Sequence, residues 1–89
     1  MKRAENKVAL VTGASLGLGR ACAMMLAREG AKVMVTDLKE PEGRAVADKI
    51  VEAGGEAMFM RQDVSSEADW DATIAATVRR FGRLDILVN

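Results

Sequence analysis

"ALVTGASLGLGRACAMML", from Ala9 to Leu26, passes from an apolar run through three glycines into an apolar stripe at helical spacing. Val8–Thr12 lacks the polar alternation of a half-exposed strand, so it reads as a strand covered on both faces. Beyond the glycines, Ala21, Cys22, Met25 and Leu26 recur three and four residues apart, the period of an amphipathic helix running from Leu18 to Glu29. Gly30 follows where helices often end in a left-handed residue. A doubly covered strand leading into a helix implies a parallel sheet, because parallel neighbours need a crossover helix between them.

The rest of the chain repeats this unit. Lys32–Asp37, "KVMVTD", reads as a second strand. Pro41 suits a first helical turn, and Val46, Ile50 and Ala53 form a stripe that Gly54-Gly55 ends. Ala57–Arg61 is a third strand. Ser66 with Asp69 resembles a capping box in which Asp replaces Glu. Trp70, Ile74, Val78 and Phe81 predict the buried face of a third helix stopped by Gly82, and Leu84–Val88 reads as a fourth strand. The order β-α-β-α-β-α-β predicts one α/β unit, with right-handed crossovers and helices on both faces of a parallel sheet.

Composition narrows the function classes. The 89 residues are 49% hydrophobic and 29% charged, with 13 basic and 13 acidic side chains, so no charge excess favours nucleic acid or an anionic membrane. No apolar run approaches the roughly 20 residues that span a bilayer, and "MKRAENKVALV" lacks a signal peptide's apolar core. A single cysteine fits a reducing cytoplasm, the expected location. No His/Cys/carboxylate cluster has metal-ligand spacing, so no metal site is expected. Cys22, the methionines at 24, 25, 34, 58 and 60, and Trp70 are expected to serve in packing. Histidine and tyrosine, two common proton-transfer side chains, are both missing from the chain.

The glycines are spaced G-x-x-x-G-x-G at 13, 17 and 19, unlike the G-x-G-x-x-G dinucleotide fingerprint. In a strand–turn–helix that meets a pyrophosphate, one glycine permits the tight turn, one admits the phosphates, and one allows close helix packing. The helix start then offers unpaired N–H groups and a positive dipole end. Asp37 follows at about the 20-residue separation expected of a ribose-binding acid.

With these residues in place, the chain resembles the short-chain dehydrogenase/reductase family. "TGASLGLG" matches its T-G-x-x-x-G-x-G element, "QDVSS" at Gln62–Ser66 resembles its Asp-Val element, and "LDILVN" resembles the approach to its Asn-Asn-Ala-Gly element. The resemblance implies a Rossmann-type three-layer fold with strand order 3-2-1-4. Gly13, Gly17 and Gly19, with backbone at Ser15, Leu16 and Leu18, would wrap the pyrophosphate and nearby ribose, Thr12 would brace the turn, and Arg20 would be a helix-surface charge. Asp37 would bind the adenosine ribose hydroxyls with Leu38 beside it, Asp63 the adenine amino group, Val64 one adenine face, and Asn89 the adenosine ribose.

NAD is the expected cofactor, preferred over NADP. A 2'-phosphate 4 Å from the Asp37 carboxylate would be repelled by ~1 kcal/mol in water and ~4 at an effective dielectric of 20. Leu16 and Leu38 stand where NADP-preferring members often carry a basic residue, and Lys39, one position later, could soften the preference.

The family's catalytic Tyr-x-x-x-Lys lies downstream of Asn89, and with no tyrosine this chain is expected to be inactive alone, with no catalytic residue of its own. Residues 1–89 would then be the cofactor-binding half of an oxidoreductase interconverting an alcohol and a ketone, truncated after the fourth strand with its catalytic half absent. Leu84–Val88 would be an exposed apolar edge, and the full-length protein would be a homo-oligomer. The alternative is a non-catalytic dinucleotide-binding or self-associating module. Methyltransferases that use S-adenosylmethionine share the glycine-rich turn, and epimerases and dehydratases share this half of the fold.

Overall fold

The computed structural model describes residues 3–89. Seven elements follow in order: β1 (Val8–Val11), α1 (Gly17–Arg28), β2 (Lys32–Asp37), α2 (Glu40–Glu52), β3 (Glu56–Arg61), α3 (Glu67–Phe81) and β4 (Ile86–Val88). They build one parallel sheet in the order β3-β2-β1-β4. This is the α/β architecture and strand order expected.

The sheet separates two cores. Ala9 and Val11 of β1, Val33 and Val35 of β2 and Phe59 of β3 pack with Ala23 of α1 and Val46, Ala47 and Ile50 of α2. The alternate residues Val8, Leu10 and Met34 face α3 through Ala76 and Phe81. Leu10 and Val11 are both fully buried, as a strand covered on both faces must be.

Three expectations need correction. The fourth strand begins at Ile86, because Asp85 caps the ladder instead of extending it: its Oδ2 accepts from Val8 N at 2.9 Å while its own N–H donates to Val8 O. Leu84 packs into the α3-side core. On α3 the buried residues are Thr73, Ala76, Thr77 and Phe81, leaving Ile74 and Val78 exposed. Small and β-branched side chains let the helix approach the sheet, and the Thr77 hydroxyl is satisfied within the helix by the Thr73 carbonyl at 2.7 Å. Of the methionines among the described residues only Met34 is fully buried, whereas Met25 points outward from α1 and Met58 lies on the edge strand β3.

The α2–sheet contact depends on Gly43, which is buried against Phe59. A Cβ at this position would overlap the Phe59 ring, and the Arg44 guanidinium lies 5.3 Å from the centroid of that ring. Alanine in a helix interior normally gains roughly 1 kcal/mol over glycine. Here Gly43→Ala is expected to lower the melting temperature, whereas the same change in a Phe59→Ala background should raise it. Thermal melts of the four proteins in this cycle test the contact.

Candidate functional site

In a parallel sheet every strand delivers its carboxyl end to the same edge, and here that edge meets the N-termini of α1 and α3. The glycine-rich turn between β1 and α1 forms its centre. Gly13 and Gly17 adopt left-handed backbone, with φ of 59° and 63°. Gly19 plays a steric part: a Cβ there would overlap the Gly13 carbonyl oxygen, so α1 rests directly on the turn. Leu16 occupies the N-cap in an extended conformation and makes no side-chain cap, and the first turn of α1 contains no acidic residue. α2 carries Glu40 and Glu42 in its first turn, and α3 has Glu67, Asp69 and the Ser66 cap. Among the described helices, α1 alone presents an N-terminus with neither a capping side chain nor an acid, which leaves its N–H groups and positive end for an external anion.

Asp37 ends β2 beside that turn. Its Oδ2 accepts from Ser15 N at 3.1 Å and its Oδ1 from Lys39 N at 2.9 Å, while Ala14 N donates to Thr36 O at 3.0 Å. Burial alone would raise the Asp37 pKa, but the N–H groups of Lys39 and Ser15 outweigh it and hold the carboxyl below the ordinary aspartate value. Asp63 ends the β3 side. The Ser65 hydroxyl and then the Ser65 N–H, at 2.6 and 2.9 Å from Asp63 Oδ1, hold its carboxyl low as well. Leu38 and Val64, the residues after these two acids, are both exposed.

Asn89 sits across the turn, where its Oδ1 accepts from the Thr12 hydroxyl at 2.9 Å. Thr12 N donates to Val88 O at 2.9 Å, so Thr12 ties β1 to β4 as well as bracing the turn. A cavity of about 450 Å³ brings together Gly13, Leu18, Gly19, Val64 and Asn89 of the predicted set. Thr12, Cys22 and Val88 complete its lining, so Cys22 borders the cleft as well as packing beside the core. Ser15 lines a separate smaller depression with Arg20, Glu42 and Lys49, and Asp37 reaches the site through Ser15. Other clefts lie at the opposite pole, around Gly54 and Gly55, and hold none of the predicted residues.

The structure adds positions that the sequence reading left to packing or capping. Ser66 caps α3 as predicted, accepting from Asp69 N at 3.1 Å. The return half of the box differs: Asp69 Oδ2 accepts from Asp63 N at 2.8 Å, while Ser66 N turns to Asp63 O. Trp70 packs against the α3-side core as expected, and its indole N–H also donates to Val64 O at 2.8 Å. The Asp-x-Ser spacing of 63 and 65 was the available signal, since an aspartate that accepts from the residue two later is a recurrent turn. Among the described residues no group of three His, Cys, Asp or Glu side chains could hold a metal ion, and no helix is long and apolar enough to cross a membrane.

Comparison with known proteins places this geometry in context. The family model for short chain dehydrogenases matches residues 7–89. A 2,5-dichloro-2,5-cyclohexadiene-1,4-diol dehydrogenase of Sphingobium indicum is 48% identical over 87 residues, covering 98% of this chain and 35% of the relative. A 3-beta-hydroxysteroid dehydrogenase of Comamonas testosteroni is likewise 48% identical, with 98% and 33% covered. The chain thus spans about a third of the length of these curated relatives. Among solved structures, a hydroxysteroid dehydrogenase from Escherichia coli superposes with a TM-score of 0.95 at 37% identity, over 98% of this chain and 37% of that one. A 7-alpha-hydroxysteroid dehydrogenase complexed with NADH and 7-oxo glycochenodeoxycholic acid gives the same TM-score and identity, over 98% and 34%.

Two outcomes test the site's construction. Gly19→Ala should destabilise the fold by about 1–3 kcal/mol, the usual cost of overpacking, because backbone rather than a flexible side chain stands in the way. Asp37, Asp63 and Asp85 (held low first by Val8 N–H) all have depressed native pKa values. Their stabilisation is present above the ordinary aspartate pKa and lost as pH falls through the lower native values. Urea midpoints should therefore stay level on acidification to that ordinary value and fall below it, with a shallower fall for Asp37→Asn.

Proposed function

The chain belongs to the short-chain dehydrogenase family, and from that premise we propose that it is the cofactor-binding half of an NAD-dependent oxidoreductase interconverting an alcohol and a ketone. The observation that carries this reading is the N-terminus of α1, uncapped and free of acids above a glycine-rich turn, with an ionised Asp37 hydrogen-bonded to that turn. The residues fit a dinucleotide: Gly19 keeps the helix pressed on the turn, and a side chain there would displace both.

In this reading the first-turn N–H groups of α1 and the backbone from Ser15 to Leu18 receive the pyrophosphate. Asp37 keeps both carboxylate oxygens fixed by backbone donors, and their remaining lone pairs accept from the ribose hydroxyls. Asp63 accepts from the adenine amino group, Val64 and Leu38 supply exposed apolar surface, and Asn89, oriented by Thr12, adjoins the adenosine ribose. The nicotinamide would carry the hydride. The chain contains no tyrosine, so we assign it no catalytic side chain and expect it to be inactive alone, the acid–base residue belonging to a Tyr-x-x-x-Lys outside these residues. A homo-oligomer of the full-length protein in the cytoplasm, acting on a small-molecule alcohol or ketone, completes the proposal.

One observation favours the alternative of a self-associating module. β4 is an edge strand, and Leu87 on it and Ile74 and Val78 on α3 are exposed. Sedimentation of the purified chain tests that reading: a monomer at micromolar concentration removes it.

Titration calorimetry of the chain with NAD and NADP tests the main proposal. NAD should bind more tightly by at least about tenfold, within the range that one repulsive charge pair spans. Asp37→Ser should close most of that gap, chiefly by strengthening NADP. Equal binding of the two cofactors would remove the role of Asp37, and binding of neither would remove the dinucleotide reading.

A further inference from the structure

The loop between β3 and α3 is held by hydrogen bonds at both of its ends. At its root, Gln62 is buried: its N–H donates to Asp37 O at 3.2 Å, and its side-chain Oε1 accepts from the Thr36 hydroxyl at 2.9 Å. This joins the loop to β2 one residue from Asp37. At the far end, Asp69 and Trp70 in the first turn of α3 reach back over it. Asp69 Oδ2 accepts from Asp63 N, and the Trp70 indole donates to Val64 O, both at 2.8 Å. Ser65 meanwhile occupies Asp63 Oδ1 twice, which leaves Oδ2 of an ionised carboxylate to meet a ligand.

The Trp70 ring is partly buried against the α3-side core, so its N–H has little freedom to wander. Packing alone would be served by phenylalanine. The indole N–H adds a bond to the carbonyl of Val64, whose exposed side chain lines the same cleft as Gly13, Leu18 and Gly19.

We propose that Asp69 and Trp70 are positioning residues that preset the Asp63–Val64 loop to select a 6-aminopurine, rejecting the 6-keto base. The inference rests on the dinucleotide reading above. A loop that visits its binding-competent conformation only part of the time weakens affinity by that fraction, and two bonds from a helix end keep this one in place. A fixed carboxylate acceptor then pairs with an exocyclic amino group, whereas a keto oxygen sets acceptor against acceptor and leaves the carboxylate unpaired. Ser65 fixes which carboxylate oxygen faces the base. Asp69 and Trp70 fix where the carboxylate and the Val64 side chain stand.

The test measures affinity of the chain for NAD, its hypoxanthine analogue, ADP-ribose and nicotinamide mononucleotide. The probes are applied to the wild type and to Trp70→Phe, Asp69→Ala and Asp69→Asn, each checked by thermal melting. The wild type should prefer NAD over the hypoxanthine analogue by about tenfold. Trp70→Phe and Asp69→Ala should each weaken NAD and ADP-ribose by about three- to tenfold, the size of one net hydrogen bond, and compress the base preference alongside. Nicotinamide mononucleotide binding should not change. Asp69→Asn should restore both affinity and preference, because an amide oxygen accepts from Asp63 N–H as a carboxylate does. If Trp70→Phe fails to fold, the contrast of Asp69→Ala with Asp69→Asn decides alone. Weaker NAD binding with an unchanged base preference would show a merely structural role and overturn the inference, as would folded variants indistinguishable from wild type. Failure of the wild type to bind NAD at all would overturn the dinucleotide reading, and the inference with it.

Discussion

The contact between Gly19 and the carbonyl of Gly13 governs the working edge of this molecule. Helix α1 lies on the very turn that leads into it, with no room between them for a single carbon atom. That approach sets where the helix begins, and the beginning of the helix is where its unpaired N–H groups and positive dipole end are offered. It also brings the turn alongside β2, where Ala14 N meets Thr36 O and Ser15 N meets Asp37 Oδ2. A side chain at 19 would therefore disturb the helix start, the turn and the acid together. Gly13 and Gly17 supply the left-handed backbone that the turn requires, but it is Gly19 that closes the structure.

Around that contact, carboxylates tie the edge together through backbone. Asp37 bonds the glycine-rich turn and its own loop, Asp69 bonds the N–H of Asp63, and Asp85 takes the N–H of Val8 at the opposite end of β1. The bonds of Asp37 to Ser15 and of Asp85 to Val8 span elements that come together only in the fold, whereas those of Asp37 with Lys39, Asp63 with Ser65 and Asp69 with Asp63 are local. Backbone donors cannot rotate away as side chains can, so an acid held by them keeps its charge and its direction. That suits a ligand recognised through hydroxyl and amino hydrogens. It also explains why Asp37 is held below the ordinary value while remaining close to solvent: its N–H bonds outweigh the burial that opposes them.

Much of this was legible in the sequence because glycine spacing and apolar period reflect backbone constraints directly. The doubly covered strand at Val8–Thr12 and the helix after Gly17 follow from such signals, whereas the strand order and the placing of Gly13, Leu18, Gly19, Val64 and Asn89 at one site were implied by the family resemblance. Where polarity misled, a local hydrogen bond was responsible. Thr73 and Thr77 are buried in place of Ile74 and Val78; the Thr77 hydroxyl is satisfied by the Thr73 carbonyl of its own helix, which a hydrophobicity stripe cannot register, while the buried Thr73 hydroxyl has no hydrogen-bond partner among the described residues. Asp85 interrupted an apparent strand because its carboxylate substitutes for a ladder carbonyl at Val8. Trp70 was legible as packing, and its indole bond to Val64 was not, since side-chain direction depends on how the helix docks.

The two sides of the edge differ in how completely this chain builds them, and the difference bears on what it can do. On the β2–β3 side, Asp37 and Asp63 are each fixed by backbone or hydroxyl donors, and the loops bearing them are joined through Gln62 and Thr36. On the β4 side, Asn89 is held through the Thr12 hydroxyl, the strand is three residues long, and Leu87 stands exposed on it. Under the proposed reading the first side meets the adenosine half of a dinucleotide and the second faces toward its reactive half. Recognition of adenosine would then need only contacts already satisfied within these residues, while positioning of the reactive ring would need surface beyond β4. On that reading binding and chemistry would separate physically: selectivity for the base and the 2' position would be carried by this chain, independent of whatever substrate the catalytic residues address.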